Sequence, residues 1–368
     1  MRAPKRLKRP RVTPKTLVPG HTIGIIGGGQ LGRMLALAAA RLGLKCHIFC
    51  PEDNAPASQV AHHTTIAAYD DVQALADFAA AVDVVTYEFE NIPADSVAVL
   101  AASKPVYPSA KALAVSQDRL DEKSFISQLG IAVADFYDIT SAETLAHALQ
   151  QTGGHGILKT RRFGYDGKGQ WRLSPDSDLA EVMAQLDGQP AILEALIEFE
   201  REVSVIVARD LNGHITCYAP IENQHENHIL RRSLMPAQVS NAVAQTAVQL
   251  AEKLATALDY IGVLSIETFV TVDGLVVNEI APRVHNSGHL TQDACAVGQF
   301  EQHIRAISGW PLGDTQAHSD AVMTNLLGDE IDQWADWAAQ ANTAVHLYGK
   351  EQAKAGRKMG HVTQLKAK

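Results

Sequence analysis

The sequence predicts three α/β or α+β parts: an N-terminal open parallel sheet, a central part that contains two β-hairpins, and a small, β-rich C-terminal part. Three observations predict them: a strand, glycine turn, helix and strand in residues 22–53, a glycine-rich hairpin in 157–173, and two β-rich segments in 262–281. The length of 368 residues suits two or three domains. We expect the following boundaries: a basic, disordered extension at 1–20, domains at 21–113, 114–310 and 311–368, and a mobile lid at about 124–198.

Charge and composition exclude several classes of protein. Residues 1–15 hold seven basic side chains and no acidic one, although the whole chain has 32 Lys and Arg against 41 Asp and Glu. The acidic body disfavours general binding to nucleic acid. No apolar run approaches the roughly 18 residues that cross a bilayer. Four scattered cysteines without a secretory signal indicate buried thiols in a reducing cytoplasm.

The first element is a βαβ unit. An apolar run at residues 23–26 is followed by glycines, a helix from Gln30 to Arg41 and a strand around 46–49. Gly27, Gly29 and Gly32 fit the GxGxxG pattern, which lets a phosphate approach the backbone at a helix N-terminus. The acidic pair at 52–53 lies where a dinucleotide-binding fold places its ribose ligand. A nicotinamide dehydrogenase and a turn that needs glycine only for packing both fit this segment.

The next strand, within residues 82–93, ends in Glu88, Glu90 and Asn91. Ligands of open α/β sheets bind at the carboxyl ends of strands, so these residues are expected in the crevice that the glycine turn faces. Glu88 is the stronger candidate, and Glu90 fits a solvated turn nearly as well.

Residues 157–173 predict a phosphate-binding flap. A strand with Lys159 leads into a loop with Gly164, Gly167 and Gly169, and then into a second strand from Gln170. No GKS or GKT precedes a helix, so this is not a Walker loop. Backbone N–H groups and a strand-borne lysine suit phosphoryl transfer, whereas an exposed mobile hairpin is the alternative.

A second hairpin carries a candidate metal site. Its two β-rich arms flank an Asp-Gly turn at 273–274 and bring Glu267 and Glu279 together beside Asn278. Such oxygen ligands suit magnesium on nucleotide phosphates. Solvent-facing acids are less favoured because both glutamates lie among apolar residues, where unpaired charge is costly. Glu194 and Glu202 read in isolation as ordinary acids at strand ends.

The joint order of these motifs resembles the ATP-grasp ligases, and among them the N5-carboxyaminoimidazole ribonucleotide synthetases of purine biosynthesis. The resemblance covers about residues 21–365 and implies a pre-ATP-grasp domain, an ATP-grasp fold and a C-terminal domain. It rests on these segments: GGGQLGRM (27–34), YEFENI (87–92), QDR (117–119), GYDGKGQ (164–170), NE (278–279), PRVHNSGH (282–289) and YGK…GRKMGH (348–361).

The resemblance implies that ATP and magnesium convert bicarbonate to carboxyphosphate, whose carboxyl group passes to the amino nitrogen of 5-aminoimidazole ribonucleotide. Carried onto this chain, the implied ATP site divides by role. Arg119 and Lys159 would hold phosphates, Gly164, Tyr165, Asp166, Gly167, Lys168, Gly169 and Gln170 form the flap, Glu194, Ala195, Leu196 and Ile197 meet adenine, Glu202 binds ribose, and His225, Glu267, Asn278 and Glu279 complete the nucleotide and metal site. His225 stands out no more than His228 in the sequence itself.

The second substrate is expected at both ends of the chain. The glycine loop, through Gly29, Gln30 and Leu31, would receive the 5'-phosphate near Glu88, and Lys350 and Arg357 would meet the same phosphate. A solvated basic segment is the alternative for the last two. The resemblance places these residues around bicarbonate, carboxyphosphate and the aminoimidazole: Arg283, His285, Asn286, Ser287 and Asp166.

Three other functions remain open at this stage. A formate-using glycinamide ribonucleotide transformylase would share the ATP site, a dehydrogenase would bind a dinucleotide at the glycine turn, and a non-catalytic nucleotide-binding regulator would bind without turnover. The resemblance also implies a cytoplasmic homodimer that acts on small molecules, with neither nucleic acid nor membrane as partner.

Overall fold

The structure is a computed structural model that describes residues 16–164 and 167–367. The strands are β1 (Thr22–Ile26), β2 (Lys45–Cys50), β3 (His63–Ile66), β4 (Val84–Tyr87), β5 (Phe136–Ile139), β6 (Gly156–Thr160), β7 (Gln170–Leu173), β8 (Ala191–Ala195), β9 (Arg201–Arg209), β10 (Ile215–Cys217), β11 (Ile221–Glu226), β12 (Ile229–Met235), β13 (Gly262–Thr271), β14 (Gly274–Ala281), β15 (Ser319–Leu327), β16 (Thr343–Leu347) and β17 (Lys358–Ala367). The α-helices are α1 (Gln30–Arg41), α2 (Val72–Ala80), α3 (Ala94–Ala101), α4 (Ala110–Gln117), α5 (Arg119–Gln128), α6 (Ala142–Gln151), α7 (Leu179–Leu186), α8 (Asn241–Ala257), α9 (Thr291–Ala294), α10 (Gln299–Ile307) and α11 (Trp334–Ala338).

The N-terminal part is the predicted open parallel sheet, with strand order β3-β2-β1-β4. The chain runs outward from β1 through β2 to β3 and then returns to β4 on the other side of β1. This reversal creates a crevice beyond the carboxyl ends of β1 and β4, where open α/β sheets bind ligands. The predicted helix from Gln30 to Arg41 is confirmed as α1.

The central part is a nine-stranded sheet of order β14-β13-β9-β11-β12-β15-β17-β16, with β10 paired to β9. Helix α8 covers part of it, because the alanines and leucines along one side of α8 pack on the valines and isoleucines of β9, β13 and β14. The C-terminal strands are β-rich, as predicted, and they extend this same sheet through the antiparallel pairing of β12 with β15. The C-terminal part therefore shares its sheet with the central part.

A smaller antiparallel sheet of order β5-β8-β6-β7 lies within the predicted lid. It has its own hydrophobic cluster, which includes Ile139, Leu145, Leu158 and Leu193. A separate core allows this lobe to move as a unit, as the lid hypothesis requires.

One boundary needs correction. Residues 16–20, which we assigned to the disordered extension, lie against the folded body: Leu17 is buried, its amide donates to the Ser308 carbonyl at 2.9 Å, and Trp310 donates to its carbonyl at 2.6 Å. Burial of one leucine and its hydrogen bonds outweighs the sparse apolar content that suggested disorder. Residues 1–15 lie outside the described part of the chain. Among the helices of the described residues, none is long and apolar enough to span a bilayer.

Candidate active site

The crevice of the N-terminal sheet holds a buried carboxylate. Glu88 follows β4, and its two oxygens accept hydrogen bonds from the amides of Gly29 and Gly32, the latter at 2.6 Å. A side chain at Gly27, whose φ is +110°, would clash with the Glu88 side chain, so glycine is required there. The glycine turn therefore cradles Glu88.

This arrangement bears on the role expected of Gly29 in the glycine loop, whereas the expected roles of Gln30 and Leu31 stay predictions. We expected Gly29, Gln30 and Leu31 to receive a phosphate, but the amide of Gly29 already serves Glu88, as does that of Gly32. A dianionic phosphate at the same amides would meet a carboxylate. The preference of helix N-termini for anions is satisfied here by the protein itself.

Basic residues of the C-terminal segment face the same crevice. Lys350 lies close enough to Glu88 and Arg357 for their charges to act on it, and its Nζ donates to the Lys358 carbonyl at 2.7 Å. Burial, reinforced by the positive charge of Arg357, lowers the pKa of Lys350 to about 8. The structure thus brings Lys350 near Glu88 with Arg357 close to Lys350, and the contact of both with a substrate phosphate stays a prediction.

The acids of the dinucleotide hypothesis are placed differently. Glu52 and Asp53 are exposed beyond the end of β2, and the Nδ2 of the neighbouring Asn54 donates to the Glu351 carboxylate of the C-terminal segment at 2.6 Å.

The predicted acid pair is confirmed on the β13–β14 hairpin. Glu267 and Glu279 lie directly opposite each other in the ladder. The register then slips, so that Thr268 pairs with Val277 and Asn278 is an extra residue on β14. Such a bulge interrupts the strict alternation of faces that would otherwise separate Asn278 from Glu279.

Two opposite influences separate the pKa values of these acids. Burial alone would raise the pKa of Glu279, but the Arg119 guanidinium, 2.9 Å from its Oε2, lowers that pKa to about 2. Burial, together with the negative charge of Glu279, raises the pKa of Glu267 to about 8. Close carboxylates that repel one another provide the oxygen ligands that a divalent cation favours.

Helix α5 supplies three further polar side chains to this site. Arg119 begins the helix; Glu122, one turn later, accepts a hydrogen bond from the Ile280 amide at 2.6 Å. Lys123 is completely buried, with its Nζ 3.1 Å from the Glu194 Oε2. We did not single out Glu122 or Lys123 from the sequence, although their spacing of three and four residues from Arg119 places all three on one face of a helix.

Lys159 and Glu194 form a buried ion pair across β6 and β8. The Lys159 Nζ donates to the Glu194 Oε2 at 2.9 Å, and the same oxygen faces Lys123. Glu194 is therefore more than an ordinary acid at a strand end. Ala195 ends β8, and residues 196–197 continue into the connection to β9.

The glycine-rich flap is confirmed as an antiparallel hairpin, because β6 pairs with β7 and Lys159 lies opposite Gln170. Gly167 and Gly169 have φ values of +79° and +67°, a region that favours glycine. A side chain at Gly167 would lie 2.9 Å from His228, so the flap tip reaches the turn between β11 and β12. Gly164 and Lys168 complete the described flap, whereas Tyr165 and Asp166 lie outside the described residues.

Glu202 and His225 are brought together, with the His225 Nδ1 2.7 Å from the Glu202 Oε2. Burial would lower the pKa of His225, but the hydrogen bond and charge of Glu202 raise it. The sequence did not distinguish His225 from His228; only this pairing does.

The loop after β14 links the hairpin to the crevice. The Arg283 guanidinium pairs with the Glu90 carboxylate through its Nε and through its Nη2, which lies 3.2 Å from Oε1. Glu90 follows β4, so the solvated turn considered for it is wrong. Arg283 thereby stands between the acid pair and the N-terminal sheet.

A chain of hydrogen bonds supports Glu267. Asn223 donates to the Ser204 hydroxyl at 3.0 Å, and Ser204 donates to the Ser287 hydroxyl at 2.8 Å. Ser287 lies 2.9 Å from the His285 Nδ1, which its own amide also approaches. With Nδ1 as the acceptor, the His285 Nε2 carries the proton toward the Glu267 Oε1, 3.3 Å away. These hydrogen bonds hold the Glu267 carboxylate in one orientation, as outer-shell partners do for metal ligands.

These hydrogen bonds correct the role expected of Ser287. Its exposed fraction is 0%, and its hydroxyl is engaged by Ser204 and His285, so it positions His285 and has no exposed surface of its own. Asn286 is also engaged, because its side-chain amide exchanges hydrogen bonds with that of Asn325 at 3.1 and 2.7 Å.

A second cluster of possible metal ligands lies at the C-terminal end of the central sheet, formed by Asp293, His346 and His361. His346 contacts the Asp293 carboxylate at 3.0 Å. The two imidazole rings stack with an angle of only 13° between their planes, so their lone pairs run in parallel planes and do not converge on one ion. We assign this cluster no metal.

Comparisons with known proteins agree with this architecture. Three family models match: a ribonucleotide synthetase preATP-grasp domain at residues 20–117, an ATP-grasp domain at 124–300, and a phosphoribosylaminoimidazole carboxylase C-terminal domain at 321–368. Because each is similar to one of the three predicted parts, the fold class is confirmed.

Full-length relatives are also similar. The chain is 53% identical to the N5-carboxyaminoimidazole ribonucleotide synthase of Brucella melitensis over 354 residues, covering 95% of this chain and 98% of the relative. An ADP complex of an N5-carboxyaminoimidazole ribonucleotide synthetase is 43% identical, with a TM-score of 0.93 and coverage of 96% and 94%. The Aspergillus clavatus enzyme, solved with ADP and 5-aminoimidazole ribonucleotide, is 31% identical, with a TM-score of 0.89 and coverage of 95% and 94%. The chain therefore belongs to the N5-carboxyaminoimidazole ribonucleotide synthase family, whose catalytic unit is an ATP-grasp ligase.

Proposed function

We propose that this chain carboxylates 5-aminoimidazole ribonucleotide with bicarbonate and ATP, through carboxyphosphate, as a step of purine synthesis. The observation that carries the proposal is the ion pair of Arg283 with Glu90. It joins the acid hairpin, which suits nucleotide phosphates, to the crevice of the N-terminal sheet, which suits a second substrate. One guanidinium thus stands where a group activated by ATP would meet its acceptor.

The ATP site uses charge from several elements. Arg119 and Lys159 hold the phosphates, and the described residues of the flap, 164 and 167–170, cover them with backbone N–H groups. The backbone of residues 194–197 contacts adenine, and Glu202 accepts hydrogen bonds from the ribose hydroxyls with His225 beside it. The ion pair of Glu202 and His225 supports this assignment because it holds the acceptor in place.

The donor set of the acid hairpin fits magnesium. Glu267 and Glu279 offer opposed carboxylates, and Asn278 offers an amide oxygen from the bulge. When bound, the ion would neutralise phosphate charge during transfer. Arg119 keeps Glu279 ionised, and His285 orients Glu267 for this role.

The reaction proceeds in two transfers. A bicarbonate oxygen attacks the γ-phosphorus of ATP and ADP leaves, which gives carboxyphosphate. The amino nitrogen of the ribonucleotide then attacks the carboxyl carbon, the bond from that carbon to the phosphate oxygen breaks, and the nitrogen loses a proton. Arg283 stabilises both anions, because its planar fork matches carboxylate and phosphate geometry. His285 and Asn286 line this position, and the motif resemblance assigns Asp166 to the aminoimidazole.

The ribonucleotide occupies the crevice beside Glu88. Lys350 and Arg357 bind its 5'-phosphate, since they place two positive charges at the open side of the crevice. Glu88 has lone pairs left after accepting from Gly29 and Gly32, and these suit the ribose hydroxyls. Gln30 and Leu31 line the same turn.

Carboxyphosphate hydrolyses in water, so the site must close during transfer. The lobe at about 124–198 is the lid of this proposal, and its separate hydrophobic cluster supports motion as a unit.

The test is ADP release from ATP and magnesium, with the ribonucleotide and bicarbonate each added or omitted. We expect release to require both and isotopic carbon from bicarbonate to appear in an acid-labile product. Formate in place of bicarbonate would support the transformylase alternative instead. Release without stimulation by the ribonucleotide would refute the proposed acceptor.

Two variants connect this test to the structure. Arg283→Met should abolish carboxyl transfer, whereas Arg41→Met should not, because the Arg41 side chain is 72% exposed on α1. We extend the proposal to a cytoplasmic homodimer, on the strength of the motif resemblance. Light scattering of the purified chain measures the assembly directly.

A further inference from the structure

Glu194 carries two positive partners on a single oxygen. The Lys159 Nζ lies 2.9 Å and the Lys123 Nζ 3.1 Å from its Oε2. Among the described residues, its Oε1 accepts no hydrogen bond. The exposed fractions of the three side chains are 8%, 1% and 5% for Lys159, Lys123 and Glu194, so water does little to screen them.

Two different elements supply the two lysines. Lys159 lies on β6, one residue before the strand ends at the flap. Lys123 lies in the middle of α5, which packs under the acid hairpin through the bond from the Ile280 amide to Glu122. Lys123 as a whole residue has an exposed fraction of 0%, whereas Lys159 borders the position where phosphates bind in the proposed function.

Phosphate binding by Lys159 raises an electrostatic difficulty. If Glu194 had only Lys159 as a partner, turning that ammonium toward a phosphate would leave a buried carboxylate unpaired. Breaking a buried ion pair in this way is strongly destabilising. A second cation that stays with Glu194 removes the difficulty.

We infer that Lys123 is the permanent counter-ion of Glu194 and thereby releases Lys159 to bind the phosphates of ATP. The inference rests on the proposed function, because it takes Lys159 as a phosphate ligand. Lys123 acts through Lys159 and is a positioning residue. The excess positive charge of the trio also draws a polyphosphate toward the site. Burial lowers the pKa of Lys159 and outweighs the opposing charge of Glu194, which agrees with an ammonium held in a place that lacks water.

The experiment measures the Kd of the full chain for ATP with magnesium by equilibrium dialysis. Lys123→Met keeps most of the volume and removes the charge, and we expect its Kd to rise by about tenfold or more. The double variant Lys123→Met with Glu194→Gln should recover to within about threefold of the wild-type Kd, because no buried carboxylate then retains Lys159. Lys45→Met is the matched control, since Lys45 is exposed at the start of β2.

Recovery in the double variant separates this role from packing. If Lys123→Met binds ATP as the wild type does, or if Glu194→Gln restores nothing, the inference is overturned. If Lys123→Met does not fold, the Kd of the double variant is compared with that of Glu194→Gln alone. Equal values support the inference, and a difference above about tenfold contradicts it.

Different outcomes would refute the proposed function and the inference about Lys123. A wild-type chain that binds no ATP, or that releases ADP without need of the ribonucleotide, refutes that function. A wild-type chain that binds ATP with no effect of Lys123→Met refutes only the inference.

Discussion

Replacing Glu88 by glutamine should loosen the glycine turn at the substrate crevice. In the wild type, each carboxylate oxygen of Glu88 accepts one amide hydrogen bond, from Gly29 and from Gly32. Glutamine keeps one acceptor oxygen but turns an NH₂ group toward the other amide. One charge-assisted bond becomes neutral, and one buried donor loses its acceptor.

The magnitude follows from those two bonds. A hydrogen bond to a charged group contributes about 1.5–3 kcal/mol, and an unsatisfied buried donor costs about 1–3 kcal/mol. Burial raises the pKa of Glu88, which means that the ionised form is itself held at a cost, and removing the charge recovers part of the loss. We therefore expect a local loss of about 2 kcal/mol, which corresponds to about 30-fold faster opening of the turn.

Hydrogen exchange read by mass spectrometry on a peptide that spans residues 27–34 measures this opening directly. Glu52→Gln is the matched control, because Glu52 is exposed beyond the end of β2 and makes the same change of charge in the same domain. Equal exchange of this peptide in Glu88→Gln, Glu52→Gln and the wild type would refute the assignment of Glu88 as the acceptor of these amides.

Three further predictions concern the metal pair, the substrate phosphate and a buried histidine. Glu279→Gln should lower kcat/KM for ATP by at least about a hundredfold, since mutation of even the indirect partners of metal ligands lowers activity by about 10–100-fold. Steady-state kinetics at varied magnesium measures this change, and an unchanged kcat/KM would contradict the prediction. The kcat/KM for the ribonucleotide should fall as pH rises through about 8, because burial and Arg357 lower the pKa of Lys350 to about 8 and a neutral amine attracts phosphate weakly. Lys350→Arg should shift this fall to higher pH. A kcat/KM that stays constant up to pH 9 in the wild type contradicts phosphate binding by Lys350. Burial lowers the pKa of His303 to about 3, so between pH 6.5 and 3 only the unfolded state binds a proton at this histidine. Acidification from pH 7 to 5 should therefore lower the free energy of unfolding by about 2 kcal/mol through this residue. Urea midpoints of the wild type and of His303→Gln that decrease equally between pH 7 and 5 would contradict this.

Much of the fold could be predicted because its signals are local. Glycines after an apolar run gave the β1–α1 turn, the spacing of glycines gave the flap hairpin, and the Asp273-Gly274 turn gave the β13–β14 hairpin with its opposed acids. Each pattern fixes backbone geometry over a few residues, where alternation and turn chemistry act.

Some site residues gave no local signal. Lys123 sits in a helical segment that reads as polar, and nothing nearby indicates that it is completely buried. His225 is identified by its contact with Glu202, which comes from a different strand. Ser287 suggested a catalytic hydroxyl, yet the surrounding sheet covers it completely.

By itself, the sequence determined the order of the three parts, the two hairpins and the set of charged residues that suit ATP and a second anion. Only the tertiary structure decided which of those charges meet. Glu88 fills the glycine turn, Arg283 reaches Glu90, and Lys123 shares Glu194 with Lys159. The physical reason is that strand and turn geometry depend on neighbours in sequence, whereas the pairing of buried charges depends on which distant elements pack together, such as Arg119 with Glu279 across 160 positions.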